Sequence, residues 1–230
     1  MRAGGEAALR WRRTLPAALV TLALGVGPGV SGSAVAGEEP VPALKGAPAE
    51  VPAAALERAR GAADDLGARL RSLLAAEVSR GGPVGAVEAC AAQAQVATRE
   101  EAARQGVSLR RVSLQQRNPA DAPDAFERAA LERFATQVQQ GSPPAELAEV
   151  ASDATGASEL RYLRPILLTP NCLGCHGKVA ELAPGVAAVL AERYPGDLAV
   201  GYASGDLRGA FSVRVPLQAD RPAVAAPKVP

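Results

Sequence analysis

The chain is short of the residues that most often do chemistry. Its 230 residues hold one histidine, one methionine, one tryptophan and three cysteines, and aromatics make up only 3%. A single histidine excludes a Ser-His-Asp triad unless His176 itself serves. It also leaves no second imidazole to act as an acid–base group. No glycine-rich phosphate loop precedes a helix. The net charge of +1 excludes the broad basic surface that nucleic acid or an anionic membrane would call for. The one apolar stretch near the N-terminus is too short, and too rich in glycine and proline, for a membrane span.

That stretch reads as an export signal. Arg10, Arg12 and Arg13 form a positive n-region, Leu15 to Val30 an apolar core, and Ala34-Val35-Ala36 a cleavage site. The expected organisation is a signal peptide over 1–36, a Pro/Ala/Gly/Glu-rich flexible linker over 37–51, a folded domain over 52–216, and an Ala/Pro-rich disordered tail over 217–230. The expected location is periplasmic or otherwise exported, with an uncleaved anchor as the alternative. Cleavage after Ala36 removes Met1 and Trp11, so the mature chain has no methionine.

Apolar spacing predicts a helix over 52–80, marked by Leu56, Ala63, Leu66, Leu70, Leu73 and Leu74 and weakened by Gly61 and Gly67. Gly81-Gly82-Pro83 ends it, and a second helix follows over 84–105. Val107 to Leu114 alternates and suggests a strand. A loop over 115–122 leads to a third helix with Pro123, Asp124 and Glu127 in its first turn. Ala145 to Val150 reads as further helical turns. Leu160 to Leu168 reads as a strand, and Leu198–Tyr202 and Leu207–Val215 as a hairpin joined by Ala203-Ser204-Gly205-Asp206. Helices first and then a mostly antiparallel sheet make the class α+β.

Cys172-Leu173-Gly174-Cys175-His176 is a C-x-x-C-H run, the pattern of c-type haem attachment. Its spacing lets two thiols meet the two vinyl groups on one edge of a porphyrin, while the histidine reaches the iron from one face. Other readings of these residues exist. A thioredoxin-like motif needs a βαβ unit, and none is predicted. A disulfide between Cys172 and Cys175 leaves His176 without a purpose. A zinc site of Cys90, Cys172, Cys175 and His176 has suitable ligand types, but adjacent Cys175 and His176 fit a tetrahedron awkwardly. One covalent haem c, with His176 as proximal ligand, is the reading adopted.

The second axial position is a separate question. The usual ligands are His and Met, and the mature chain has neither to spare. Cys90, Lys45, Lys178, Lys228, a tyrosine or an open position remain. Cysteine arithmetic points to Cys90, the thiol left over. Its predicted helix face is small: Pro83, Ala86, Val87, Ala94 and Ala97. An inert buried thiol packed on another helix is an equally good reading of those residues.

Four ordered blocks carry a resemblance. They are Ala89-Cys90 with its Ala-rich helix; Val112-Ser113-Leu114 through Arg117-Asn118-Pro119 to Ala122-Pro123-Asp124 and Glu127; Tyr162-Leu163-Arg164-Pro165-Ile166 into the C-x-x-C-H run; and Tyr194-Pro195-Gly196-Asp197 through Gly201-Tyr202 to Gly205-Asp206, Arg208-Gly209-Ala210 and Ser212-Val213. Over about 52–216 the chain resembles exported single-haem domains of PAS-like fold, first seen in a cyanobacterial c-type haem protein and recurring as sensor inputs of histidine kinases. The resemblance implies a PAS-like antiparallel sheet with N-terminal helices. It also implies His and Cys axial ligands, which places the distal ligand at Cys90. Asp121 stands where the resemblance leads one to expect Asn.

Arg117 and Asn118 are pocket candidates. Arg117 either pairs with a haem propionate or is solvated, and Asn118 either fixes the pocket wall or holds a turn before Pro119. Tyr162 either faces the haem or lies elsewhere on its strand. The expected function is redox sensing or electron transfer, with a redox or signalling protein as partner and a small gas able to displace Cys90. A peroxidase-like enzyme with an open distal site is the alternative.

Overall fold

The computed structural model describes residues 50–152 and 157–217. The signal peptide, all but the last two residues of the linker, and the tail beyond Leu217 lie outside the described residues. No described helix is long and apolar enough to cross a membrane.

A long helical run, α1 (Ala53–Gln105), opens the domain. It is kinked where the sequence places a break. Gly82 takes φ 64° and ψ −168°, a conformation that costs glycine little and that suits the residue before Pro83. The two expected helices are therefore joined with no loop between them. Gly106 ends α1 in the left-handed region, and Val107 N–H donates to the Ala102 carbonyl at 3.1 Å, a Schellman-type stop.

Strand β1 (Ser108–Val112) follows, then a 3₁₀ turn (Pro119–Asp121) and helix α2 (Ala125–Gln139). Pro123 lies just outside α2 rather than in its first turn, because Asp124 is the cap. Asp124 accepts from Glu127 N–H, and Glu127 accepts from Asp124 N–H, both at 2.8 Å. This reciprocal box satisfies two amides that the helix leaves free. Strand β2 (Leu147–Ser152) replaces the helical turns expected over 145–150. Pairing with β3 (Ser158–Leu167), Leu147 opposite Leu163, outweighs the local preference of Ala and Glu for helix.

A short helical turn, α3 (Leu173–His176), carries the cysteine motif. Helix α4 (Val186–Arg193), not expected from the sequence, follows it, and β4 (Leu207–Pro216) closes the fold. The sheet is antiparallel throughout, in the order β1-β4-β3-β2. The class is α+β with a PAS-like antiparallel sheet and helices before it.

Each sheet face has its own core. On one face, Ala55, Ala59, Ala62, Ala63 and Leu66 of α1 press on Leu160, Tyr162, Phe211, Val213 and Val215. Alanines let the helix lie close to the sheet. On the other face, Leu131 and Phe134 of α2 meet Val112, Leu163 and Ala210. Leu66 and Leu131 are fully buried, and truncating either to Ala costs about 2–5 kcal/mol. Asp124 ties α2 to the sheet, accepting from Arg161 and Arg214 at 2.6 Å each. A third cluster joins Val84 and Val87, beyond the kink of α1, to Val186, Val189 and Leu190 of α4 and to Cys175. The kink thus divides α1 into a half that covers the sheet and a half that faces the motif.

Candidate functional site

The motif is held by backbone carbonyls. A turn at Pro170–Cys172 leads into α3, and Gly177 N–H donates back to the Leu173 carbonyl at 2.8 Å. A Cβ at Gly177 would stand 2.6 Å from that same oxygen, so the residue after His176 has to be glycine. The segment 198–202 then wraps the motif. Gly201 N–H donates to the Gly177 carbonyl at 2.8 Å and Tyr202 N–H to the His176 carbonyl at 3.0 Å, while Leu198 N–H donates to Gln116. These bonds explain why the hairpin expected from Leu198–Tyr202 does not form. Its amides are spent on Gln116, Asp197, Gly177 and His176, and β4 pairs with β1 and β3 instead.

His176 is fixed by the same segment. Its Nδ1 lies 2.7 Å from the Ala199 carbonyl oxygen. A carbonyl only accepts, so Nδ1 carries the proton and Nε2 keeps the free lone pair. The Tyr202 ring meets His176 edge-on, with centroids 6.3 Å apart. Burial first, and the Arg117 and Arg208 charges second, push the imidazole pKa down to about 3. His176 is therefore a neutral, oriented donor, the form a metal ligand takes.

Arg117 is neither solvated nor free. Its Nε donates to Asp197 at 3.0 Å, and its Nη2 donates to the Cys175 carbonyl at 2.7 Å and the Ala199 carbonyl at 3.2 Å. Asp197 in turn accepts from Ala199 N–H at 2.8 Å. The pair is an inward clamp on the motif. Asn118 holds the turn: its side chain accepts from Ala120 N–H at 2.9 Å and caps the 3₁₀ turn. Asp121 is buried, accepts from Gln95 at 3.0 Å and faces Arg111 at 3.7 Å. A carboxylate there meets a cation that an amide would not.

Tyr162 is corrected. It belongs to the core between α1 and the sheet, fully buried, with its hydroxyl donating to Glu146 at 3.0 Å and accepting from Arg164. The alternation of β3 turns it toward the first half of α1, away from the motif.

Cys90 lies on the far half of α1, one turn beyond Val87, whose side chain shares a cluster with Cys175. It is exposed, which removes the reading of an inert buried thiol. Surrounding protein nonetheless limits its hydration: desolvation raises its pKa, opposed by Arg111 and Arg117. Cys90 and Cys175 are near enough for charge on one to raise the other, although desolvation dominates the rise at Cys175. Cys172 and Cys175 are half-buried free thiols, not a disulfide. Among the described residues no three His, Cys, Asp or Glu side chains converge as a metal cage, so the zinc grouping does not form.

Sequence reasoning missed Asp197 as a clamp, Ala199 as the histidine's acceptor, and Arg208 beside Tyr202. A backbone carbonyl leaves no trace in sequence, whereas the Asp197 and Arg208 side chains do lie within the motif blocks quoted above.

No curated protein matches the chain. The solved structure of the cyanobacterial heme-protein Tll0287 superposes with a TM-score of 0.57 at 26% identity, covering 72% of this chain and 97% of that one. The family model Tll0287-like matches residues 47–216, and on that match this chain belongs to the Tll0287-like family.

Proposed function

We propose that the protein is an exported carrier of one covalent haem c that works in redox sensing or electron transfer. Cys172 and Cys175 are the attachment thiols, His176 the proximal iron ligand and Cys90 the distal one. The observation that carries this reading is the bond from His176 Nδ1–H to the Ala199 carbonyl. It leaves Nε2 as the only metal-binding atom of the chain's only histidine, directly after two free thiols at haem-attachment spacing.

The donor set fits the group. Thiols and imidazole that do not converge on a point suit a flat macrocycle better than a bare ion. The relative of known structure is a heme-protein. Cys90 lies on the half of α1 whose Val87 packs with Cys175; desolvation raises its thiol pKa, and Arg111 and Arg117 act against that rise. The chemistry a bound haem supplies is a one-electron iron couple, which a thiolate ligand shifts toward the ferric form. The chain's own residues hold the imidazole neutral and oriented, through Ala199, and fix that carbonyl through Arg117 and Asp197. The expected partner is a redox or signalling protein, and a small gas is the expected competitor of Cys90.

The test is the pyridine haemochrome spectrum of the protein made with a c-type maturation system. A haem c spectrum that survives acid–acetone extraction is expected, and Cys172→Ser/Cys175→Ser should abolish it. Haem extracted freely from the unaltered chain, or none at all, contradicts the reading.

A further inference from the structure

Arg208 is the second residue of β4, and the glycine after it dictates where it lies. A Cβ on Gly209 would stand 2.2 Å from the Val112 carbonyl oxygen, so only glycine lets β4 come this close to the end of β1. The approach carries the Arg208 guanidinium to Ser113. Its Nη1 donates to Ser113 Oγ at 2.8 Å and to the Gln115 carbonyl at 3.2 Å. Both acceptors are neutral.

The neighbouring cations have acids of their own. Arg111 faces Asp121 at 3.7 Å and Arg117 faces Asp197 at 3.0 Å. Arg208 forms no ion pair among the described residues, and its Nε and Nη2 donate to none of them. Neither atom is sealed in. Burial holds this guanidinium below its usual pKa range, with Arg117 and Arg111 acting in the same direction against Tyr202 and Asp121. A desolvated cation without an anion is costly, which is why such groups are normally paired.

Arg208 borders a cavity of about 330 Å³. Leu131, Ala135 and Val138 of α2 form one wall, and Ser113, Tyr202 and Arg208 the other. Tyr202 lies under the guanidinium, its ring centroid 5.9 Å from the Arg208 carbon. Asp206 also borders the cavity, but its carboxylate accepts from Ala203 N–H at 2.7 Å and makes no ion pair with Arg208.

We propose that this cavity is a carboxylate site. Arg208 supplies the charge and a two-donor fork through Nε and Nη2, the geometry that suits a carboxylate. The apolar side of α2 receives the hydrocarbon part of the ligand. Two sources carry that chemistry. One is a propionate of the haem, which rests on the function proposed above; the other is a small free organic acid, which does not.

Two arms separate them. In the first, the holoprotein carries haem with ¹³C-labelled propionates, and infrared spectra of the unaltered chain and Arg208→Gln are compared. A labelled carboxylate band that shifts with the substitution assigns the site to the haem. In the second, the unaltered holoprotein is titrated calorimetrically with acetate and succinate. Binding that weakens at least tenfold in Arg208→Gln assigns it to a free acid. Arg208→Lys, which keeps the charge but loses the fork, should restore part of either signal. If Arg208→Gln does not fold, Arg208→Lys and Ser113→Ala carry the same comparison. No dependence on Arg208 in either arm overturns the site. An unaltered chain that acquires no covalent haem yet binds acetate through Arg208 overturns the haem reading and keeps the site.

Discussion

Arg117 and His176 share an acceptor: the guanidinium Nη2 and the imidazole Nδ1 both donate to the carbonyl oxygen of Ala199, at 3.2 and 2.7 Å. A cation on that oxygen draws electron density from it. The imidazole therefore donates to a weaker base, and its Nε2 is a weaker ligand than it would be without Arg117. Arg117→Gln removes the positive charge and the competition together, and both changes favour ferric iron. The midpoint potential should fall in that variant, measured by spectroelectrochemistry beside Arg117→Lys, which keeps the charge. An unchanged or higher potential would contradict the shared-acceptor account.

Asp197 completes the clamp from the other side. It and Arg117 are about one-tenth exposed, so removing one partner leaves a poorly hydrated charge. Asp197→Asn should lower stability by about 3 kcal/mol. Urea unfolding gives the number, and a loss below about 0.5 kcal/mol would mean the pair behaves as a surface ion pair.

Tyr162 separates core from pocket. Tyr162→Phe keeps the ring but leaves Glu146 and Arg164 without the hydroxyl. A cost of about 1–2 kcal/mol is expected, with the visible spectrum unchanged. A shifted spectrum at unchanged stability would place Tyr162 against the haem after all.

Glu146 gives the fold an acid limit. Hydrogen bonds from Arg60 hold its pKa below the usual range, against partial desolvation. A carboxyl depressed in the folded state adds stability above its unfolded pKa and loses it as pH falls through the folded one. Thermal unfolding of the unaltered chain should therefore weaken from about pH 4 downward. Glu146→Gln should be less stable at pH 7 and flatter in acid. Parallel pH profiles for the two proteins would remove Glu146 from this role.

The motif and the helix break were legible because local chemistry fixes them. Gly82 before Pro83 permits few backbone choices, and C-x-x-C-H serves few purposes. The capping box of α2 was half legible: Asp124 and Glu127 were seen as first-turn acids, while the cap itself depends on a backbone bond. Residues 145–150 point to helix in sequence because Ala and Glu prefer helix until a neighbouring strand pairs with them, as β3 does with β2. Leu198–Tyr202 has strand composition, but its amides bond to Gln116, Gly177 and His176, partners that sequence spacing does not reveal. Tyr162 shared its strand with residues nearer the motif, and only the side of the sheet that α1 covers decides where it points. Arg117 was singled out, but its partner lies 80 positions away.

The central claim is that His176 and Cys90 hold one iron from opposite faces. It is tested most directly by electron paramagnetic resonance of the ferric protein beside Cys90→Ala. A low-spin thiolate-type signal is expected in the unaltered chain, and in the variant its loss together with a raised midpoint potential. Identical spectra and potentials in the two proteins would contradict it.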